Sequence, residues 1–455
     1  MACSELLSRD LLRDRFAVAI SAMYHDEVPA YASLVKLVEN ENVNFRSRNS
    51  KQSALAEVED GRVYHGAIRL GSAKELRMIR RAFAIMGMYP VGYYDLSTAG
   101  LPVHSTAFRP TSLEALEINP FRVFTSLLRL DMLNDEVLKR RAVEVLSRRE
   151  VFTTRLVELI EIAEIHDGLT DEQADEFVLE LLETFRWRKE ASVSIDDYRF
   201  FEQPYRLLAD IVSFKGPHIN HLTVGAENID ASHRALNTSG AQAKHSIEGP
   251  PIRQCPILLR QTAFKAISEP VLFPDGTGEY EQGSHTARFG EIESRGVALT
   301  PKGHALYESL LAMANARNET EPEVLQQIFA EFPDDWKVLR ENGLAYFRYH
   351  LTPLGMKLSK PSYESWGIED LLAKGAVKAV PIVYEDFLPV SAAGIFRSNL
   401  GDDFSVQVQG DSQKMEFEAS LGSPVLDPFD LYQAIETHSI YRCVETLGFG
   451  VTEPA

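Results

Sequence analysis

An α+β fold built from two β-α-β-β-β modules is what this sequence predicts, and three observations carry the expectation. Strand-like alternation over residues 62–70 passes through the capping box Ser72-Ala-Lys-Glu75 into a helix, and then into three more strand-like runs. The same order of elements recurs from about residue 208. Between the two, residues 131–200 change to long helical segments of alternating charge. The repeat is architectural, since the halves share no convincing residue identity.

Residues 1–61 read as N-terminal helices packing on the core: Phe16, Ile20 and Met23 recur at helical spacing, as do Leu34, Leu37 and Val38, with Pro29 as the break. Asn40–Gly61 reads as loop plus part of a helix. The first module, 62–130, puts Val63, His65, Ala67 and Arg69 on one strand face, Leu76, Ile79, Phe83 and Met86 on a helix, and strands at Val91–Leu96, Pro102–Phe108 and Phe121–Leu130. The helical insertion, 131–207, carries a second capping box, Thr170-Asp-Glu-Gln173, followed by Phe177, Leu181 and Phe185. It is expected to pack on the sheet or shield one end of it, with no chemistry of its own. The second module, 208–296, is expected to hold strands at Ile211–Phe214 and Ile219–Thr223, a helix at Ile229–Leu236, and strands at His245–Glu248, Ile257–Ala266 and Ala287–Glu293. Residues 297–455 supply helices, strands and a pocket loop that complete one integrated unit. They contain Leu299-Thr-Pro-Lys-Gly303 and Leu351-Thr-Pro-Leu-Gly355, a phrase also found in the wings of winged-helix DNA-binding proteins. The Pro- and Gly-punctuated Tyr384–Phe396 either lines a pocket or closes a core.

Composition narrows the function. The 455 residues are 45% hydrophobic and 25% charged, an ordinary globular balance. A formal net charge of −19 opposes a nucleic-acid or anionic-membrane partner, and with it the winged-helix reading; an anionic small substrate would need local arginines. Cys3, Cys255 and Cys443 are too few and too scattered for a disulfide framework or a Cys-type zinc site, so a reducing, cytoplasmic home is expected. The first residues lack an apolar signal core and no stretch is long and apolar enough to span a membrane. Oligomeric state is not legible.

Carboxylates on the last strand of the second module are the chemical signal. Phe289, Glu291 and Glu293 share one face, with Gly290 and Ile292 on the other. On a solvent face two glutamates mean little, but facing a cavity an unpaired carboxylate needs a cation. His65 by itself reads most simply as a satisfied interior histidine. His218 and His221 are three apart and point to opposite faces of a strand, so only one can share the cavity with a glutamate; His221 continues into the alternating segment, whereas His218 follows the turn signal Lys215-Gly-Pro217. Two modules curled face to face would bring His65, His221 and a glutamate together as a facial metal triad. Spacing leaves Glu291 and Glu293 both open, and Glu293 has Arg295 as a simple partner. Arg69 lies four residues beyond His65 on the same face, ~13 Å along the strand, and its guanidinium can grip a carboxylate or serve as a structural pair.

The segments HGAIRLG (65–71), FAIMGMYPVGYYDLS (83–97), VHSTAFRP (103–110), NPFRVFTSLLRL (119–130), HINHLT (218–223), RFGEIESRGVALTPKG (288–303) and YEDFLPVSAAGIF (384–396) resemble those of the 2-oxoadipate dioxygenase/decarboxylase family, which acts in bacterial lysine breakdown. The likeness runs from about residue 15 to 443. More distantly, Phe-x-Glu-Ile-x-x-Arg is similar to the ligand strand of hydroxyphenylpyruvate dioxygenase and hydroxymandelate synthase, which are vicinal-oxygen-chelate enzymes of paired β-α-β-β-β modules. In that strand the glutamate before isoleucine binds iron, which selects Glu291. The resemblance further implies His65 and His221 as the other Fe(II) ligands, and Arg69, Val390 and Ser391 as substrate-binding residues.

What the resemblance implies for the reaction is compatible with the residues. No Gly-x-Gly-x-x-Gly fingerprint of a flavin or nicotinamide site is visible, so the substrate itself is the expected electron donor. A 2-oxo acid can chelate iron through its carboxylate and keto oxygen and leave a position for O2. Loss of carbon dioxide and hydroxylation of the adjacent carbon turn 2-oxoadipate into D-2-hydroxyglutarate, without a separate 2-oxoglutarate. Two alternatives stand beside this one: the same chemistry on another 2-oxo acid, and a non-catalytic metal- or ligand-binding protein of the same fold.

Overall fold

The computed structural model describes residues 5–48, 55, 58–97, 100–316, 322–358, 367–388 and 411–447. Two helices open the chain, α1 (Arg9–Glu27) and α2 (Pro29–Arg48). Pro29 is the first residue of α2, where its missing N–H costs nothing, so the expected break is a single residue wide. The first module follows as β1 (Val63–Leu70), α3 (Ala73–Ile85), β2 (Tyr89–Asp95), β3 (Val103–Arg109), a short α4 (Leu113–Ile118) that the sequence reading did not contain, and β4 (Arg122–Leu128). Ser72 caps α3 by accepting from Glu75 N, but the Glu75 carboxylate accepts from Gly71 N at 2.8 Å and pairs with Arg149, so the box is completed one residue further back.

The insertion forms α5 (Glu136–Ser147), α6 (Thr154–His166), α7 (Asp171–Phe185), α8 (Ile195–Glu202) and α9 (Arg206–Val212). The last of these corrects the expected strand at Ile211–Phe214: Ile211 and Val212 end a helix whose residues Leu207–Val212 are all buried. A short apolar run fits a buried helix as well as a buried strand, and here the helix wins. The second module is then β5 (His221–Gly225), α10 (Ile229–Thr238), β6 (Leu259–Ala263), β7 (Ile267–Pro274) and β8 (Tyr280–Arg295). The expected strand His245–Glu248 is reduced to isolated bridges, Ala243 to Phe264 and Glu248 to Gln261.

Eight strands make one sheet in the order β2-β3-β4-β1-β5-β8-β6, with β7 paired to the first half of β8, and the sheet curls into a half-barrel. In the first half β1 runs parallel to β4 and β4 antiparallel to β3. In the second, β5 runs parallel to β8 and β8 antiparallel to β6. The halves meet through the antiparallel pair β1–β5. The repeated element order thus reappears as repeated pairing, with the bridged 243–248 segment in the place that β2 takes in the first half.

The two faces of the central strands differ. Ile68, Leu70, Val123, Leu222, Val224 and Ile292 point into an apolar core shared with Phe16, Tyr31, Leu34, Leu76 and Leu236 of the helices. Ala67 and Phe124, on the other face, join a second core with Leu138, Phe201, Leu208 and Val212 of the insertion. Past the sheet lie α11 (Pro301–Ala316), α12 (Pro322–Ile328), α13 (Trp336–Glu341), β9 (Phe347–Leu351), α14 (Ile368–Ala373), β10 (Val377–Pro381), α15 (Asp411–Leu421) and α16 (Pro428–Thr446).

The repeated Leu-Thr-Pro-x-Gly phrase has a structural explanation. Thr300 and Thr352 accept from Gly303 N and Gly355 N, each at 3.1 Å. A Cβ at Gly303 would lie 1.9 Å from Leu344 O, and one at Gly355 2.1 Å from Ala376 O, so each phrase is a capped turn pressed against a neighbouring backbone.

His104 on β3 is 3% exposed, and burial, helped by Arg129, pushes its pKa down to about 4. Unfolded, it titrates near 6.5. Its contribution is therefore complete above about pH 6.5 and lost as pH falls toward 4, by on the order of 3 kcal/mol. Urea unfolding at pH 7 and at pH 4.5 should show the wild type losing more stability than His104→Gln; parallel losses would assign the acid sensitivity to other groups.

Candidate metal centre

His65, His221 and Glu291 come from three adjacent strands, β1, β5 and β8. Register places Arg122, His65, Thr223, Glu291 and Ala263 in one row across β4, β1, β5, β8 and β6. The next row along holds Phe124, Ala67, His221 and Phe289. Residues in register share a face, so both histidines and Glu291 face the same way. One ligand atom from each lies within 4.8 Å of the others. His65 Nε2 is 2.9 Å and His221 Nε2 is 3.8 Å from Glu291 Oε2. Gly290 lets helix α2 close on the opposite face, because a Cβ there would meet Phe264, Leu34 and Tyr31 at 2.6, 2.8 and 3.0 Å. Tyr24 of α1 reaches the carbonyls of Asn220 and Phe289, the residues beside His221 and one before Gly290, at 3.0 and 2.8 Å.

The electrostatics are those of a ligand set. Burial pushes His221 down to about 3, so its imidazole is neutral near pH 7. Burial alone would raise Glu291, but the two histidines and Lys244 hold it below the usual carboxylate value. Thr223 Oγ1 donates to Glu291 Oε2 at 2.9 Å and lies 2.9 Å from His65 Nε2; Gln261 Nε2 donates to the same oxygen at 2.9 Å. Yet among the described residues neither ring nitrogen of His221, nor Glu291 Oε1, has a hydrogen-bond partner. Buried polar atoms left so are costly. Two imidazoles and a carboxylate with unmatched lone pairs fit a divalent metal bound on one face, with positions left open.

Glu293 has a different environment. Arg122 grips it at 3.2 and 3.0 Å and Arg295 donates to it at 2.7 Å. Burial opposes its charge, but the two arginines and His65 hold it well below the ordinary range. His65 Nδ1 lies 2.8 Å from Glu293 Oε2, placing a carboxylate behind the imidazole as metal-bound histidines commonly have. Arg295 also pairs with Glu385 at 2.5 Å, and Arg109 grips Asp386 at 2.7 and 3.0 Å. These pairs pin the 384–388 segment to the sheet. Phe387 lies there with its ring 4.8 Å from that of His65 and 4.5 Å from the Arg122 guanidinium. Val390 and Ser391 lie outside the described residues.

Arg69 is 5% exposed and its Nη1 donates to Asp210 at 2.5 Å. His218 is not with the triad: it joins Asp210 and His285 in a second buried group. Thr223, Gln261, Arg122 and Phe387 went unread in the sequence. The first three lie on the strands that carry or flank the triad, a relation that exists only once register is known.

A profile of the 2-oxoadipate dioxygenase/decarboxylase family matches residues 16–399. The chain belongs to this family. It is 49% identical over 446 residues to the 2-oxoadipate dioxygenase/decarboxylase of Escherichia coli, covering 96% of this chain and 98% of that one. The Pseudomonas putida protein of the same name is 46% identical over 464 residues, covering 99% and 100%. A crystal structure of hydroxyglutarate synthase from P. putida in complex with 2-oxoadipate superposes with a TM-score of 0.90 at 44% identity, covering 98% and 100% of the two chains. The protein is therefore an enzyme of this family, and among the described residues no helix is long and apolar enough to cross a membrane.

The two glutamates should separate in the metal-free protein. Glu293→Gln leaves the buried Arg122 without its carboxylate and Arg295 with Glu385 alone, and should cost about 3–5 kcal/mol in urea unfolding. Glu291→Gln, which has no arginine partner among the contacts above, should stay near wild type. Equal losses would mean that both carboxylates are structural.

Proposed function

We propose that this enzyme is an Fe(II)-dependent dioxygenase that converts 2-oxoadipate and O2 to D-2-hydroxyglutarate and CO2, on a vicinal-oxygen-chelate-like core of two modules. The observation that carries the reading is the buried triad at the module junction, in which both nitrogens of His221 and one oxygen of Glu291 lack a partner among the described residues. The P. putida relative crystallised with 2-oxoadipate supports the substrate class. His65, His221 and Glu291 would hold the metal, and when bound Fe(II) supplies Lewis acidity and redox chemistry toward O2.

The stoichiometry needs no other reductant. Together 2-oxoadipate and O2 contain the atoms of 2-hydroxyglutarate and CO2: the bond between the carboxylate and the keto carbon breaks, one oxygen atom enters the new carboxylate, and the other becomes the hydroxyl on the adjacent carbon. Oxidation of the substrate supplies the electrons.

The chain's own residues then have definable tasks. Glu293, fixed by Arg122 and Arg295, orients His65 from behind. Thr223 and Gln261 fix the Glu291 carboxylate. Phe387 lies against His65 and excludes water from that side. Arg69 receives the distal carboxylate of the substrate, supplying the local positive charge that an acidic protein needs. Val390 and Ser391 complete the substrate pocket, and the loop that carries them sets chain length.

Three measurements test this reading. Alanine at His65, His221 or Glu291 should abolish turnover and sharply lower iron content. Arg69→Lys should raise KM or lower kcat at least tenfold with iron near wild type, because an ammonium cannot make the paired contact. With ¹⁸O2, one label should enter the hydroxyl and one the new carboxylate, apart from exchange with water. A requirement for added 2-oxoglutarate with release of succinate, or turnover without O2, would sink the mechanism; iron binding with no oxygen uptake on any 2-oxo acid would leave a binding protein.

A further inference from the structure

Asp210 is the last-but-two residue of α9, a residue that the sequence reading does not single out, and it is 4% exposed. Four side chains converge on it. Arg69 Nη1 is 2.5 Å and Asn220 Nδ2 3.3 Å from Oδ2, while His285 Nε2 is 2.8 Å and His218 Nε2 3.1 Å from Oδ1. Their origins form a pattern. Arg69 stands four residues after His65 on β1, Asn220 one before His221, and His285 six before Glu291 on β8. Each segment that brings a member of the triad also brings a partner to Asp210. Behind this layer, Tyr198 OH is 2.9 Å from His285 Nδ1, and the Trp187 ring stacks on His285 at 6.0 Å and meets His218 edge-on at 4.7 Å.

Asp210, His218 and His285 also meet the spacing of a metal site. The surroundings point elsewhere. Both nitrogens of His285 have hydrogen-bonding partners, and the carboxylate already faces a guanidinium, whereas at the triad both nitrogens of His221 have none among the described residues. The cation of this second group is Arg69.

We infer that Asp210 is the positioning residue for Arg69, held in turn by His285, His218 and Asn220. An arginine side chain loses rotamer entropy when it is fixed. A short buried ion pair made before substrate arrives takes that loss in advance, so the guanidinium meets the substrate carboxylate already aimed. This rests on the proposed role of Arg69 in carboxylate binding.

The test uses the iron-loaded full chain and two ligands, 2-oxoadipate and 2-oxohexanoate, which differ in the distal carboxylate. Anaerobic calorimetric titration of Asp210→Asn should show at least a tenfold loss of affinity for 2-oxoadipate, less than a twofold change for 2-oxohexanoate, and an unchanged single iron per chain. With oxygen, the loss for 2-oxoadipate should fall on KM more than on kcat. Equal loss for both ligands, loss for neither, or a drop from two metals to one would overturn the inference. Should Asp210→Asn not fold, His285→Gln, whose amide can stand in for the Nε2–H donor, should keep the preference for 2-oxoadipate, and His285→Phe should lose it; identical behaviour of the two overturns it as well. Arg69→Lys separates the layers. If it leaves the preference intact, the role of Arg69 is wrong and the inference falls with it; if it removes the preference while Asp210→Asn keeps it, only the positioning role fails.

Discussion

Two glutamates on one face of β8, at 0% and 1% exposure, set the demand that the surrounding structure meets. A carboxylate held in a low-dielectric interior must find positive charge or several donors, or it will not stay ionised. Glu293 finds two arginines from neighbouring positions on the same face, and one of them, Arg295, reaches on to Glu385, so an ion-pair ladder runs from the sheet into the 384–388 segment. Glu291 finds Thr223, Gln261 and two imidazoles, a set that meets one oxygen and leaves the other without a partner among the described residues. The same residue type, two positions along one strand, is saturated in one case and, on the proposed reading, left open for a metal in the other.

Much of the fold is legible because local signals agree with it. In the first module the alternation through Arg69, the cap at Ser72 and the apolar helix face point to one answer, and the elements form where those signals lie. The second module is harder to read because its signals are weaker. Residues 211–214 offer an apolar run without period, and 245–248 are too polar and short to pair as more than bridges. The β7 strand and the long first half of β8 form a hairpin extension that the expected Ala287–Glu293 strand did not include. Pairing order is a long-range property, and no local pattern encodes that β1 lies beside β5.

The site divides in the same way. Alternation is enough to place His65, Arg69 and the two glutamates on definite faces, and to require that His218 and His221 part company. Choosing Glu291 over Glu293 by spacing alone is not possible, because the difference is made by Arg122, 171 residues away in the chain and beyond the reach of any local rule. Asp210 is hidden for a related reason. It sits among buried apolar residues of a helix, where an acidic residue reads as an exposed edge, and its partners lie 141, 75 and 10 residues away.

The site's position at the junction of the modules has a further consequence. His65 belongs to the first module, His221 and Glu291 to the second, and the antiparallel pair β1–β5 holds the histidines' strands together. Neither module contains the triad alone. On the proposed reading, metal therefore binds only the docked arrangement, and by linkage metal at a hundred times its dissociation constant stabilises that arrangement by about 2.7 kcal/mol. Arg69 and Asp210 extend the dependence across the insertion, whose α9 must dock before the arginine has its partner. The same three strand segments thus make two convergent groups, one that fits a metal and one that fits an aimed guanidinium, and docking sets the spacing between them.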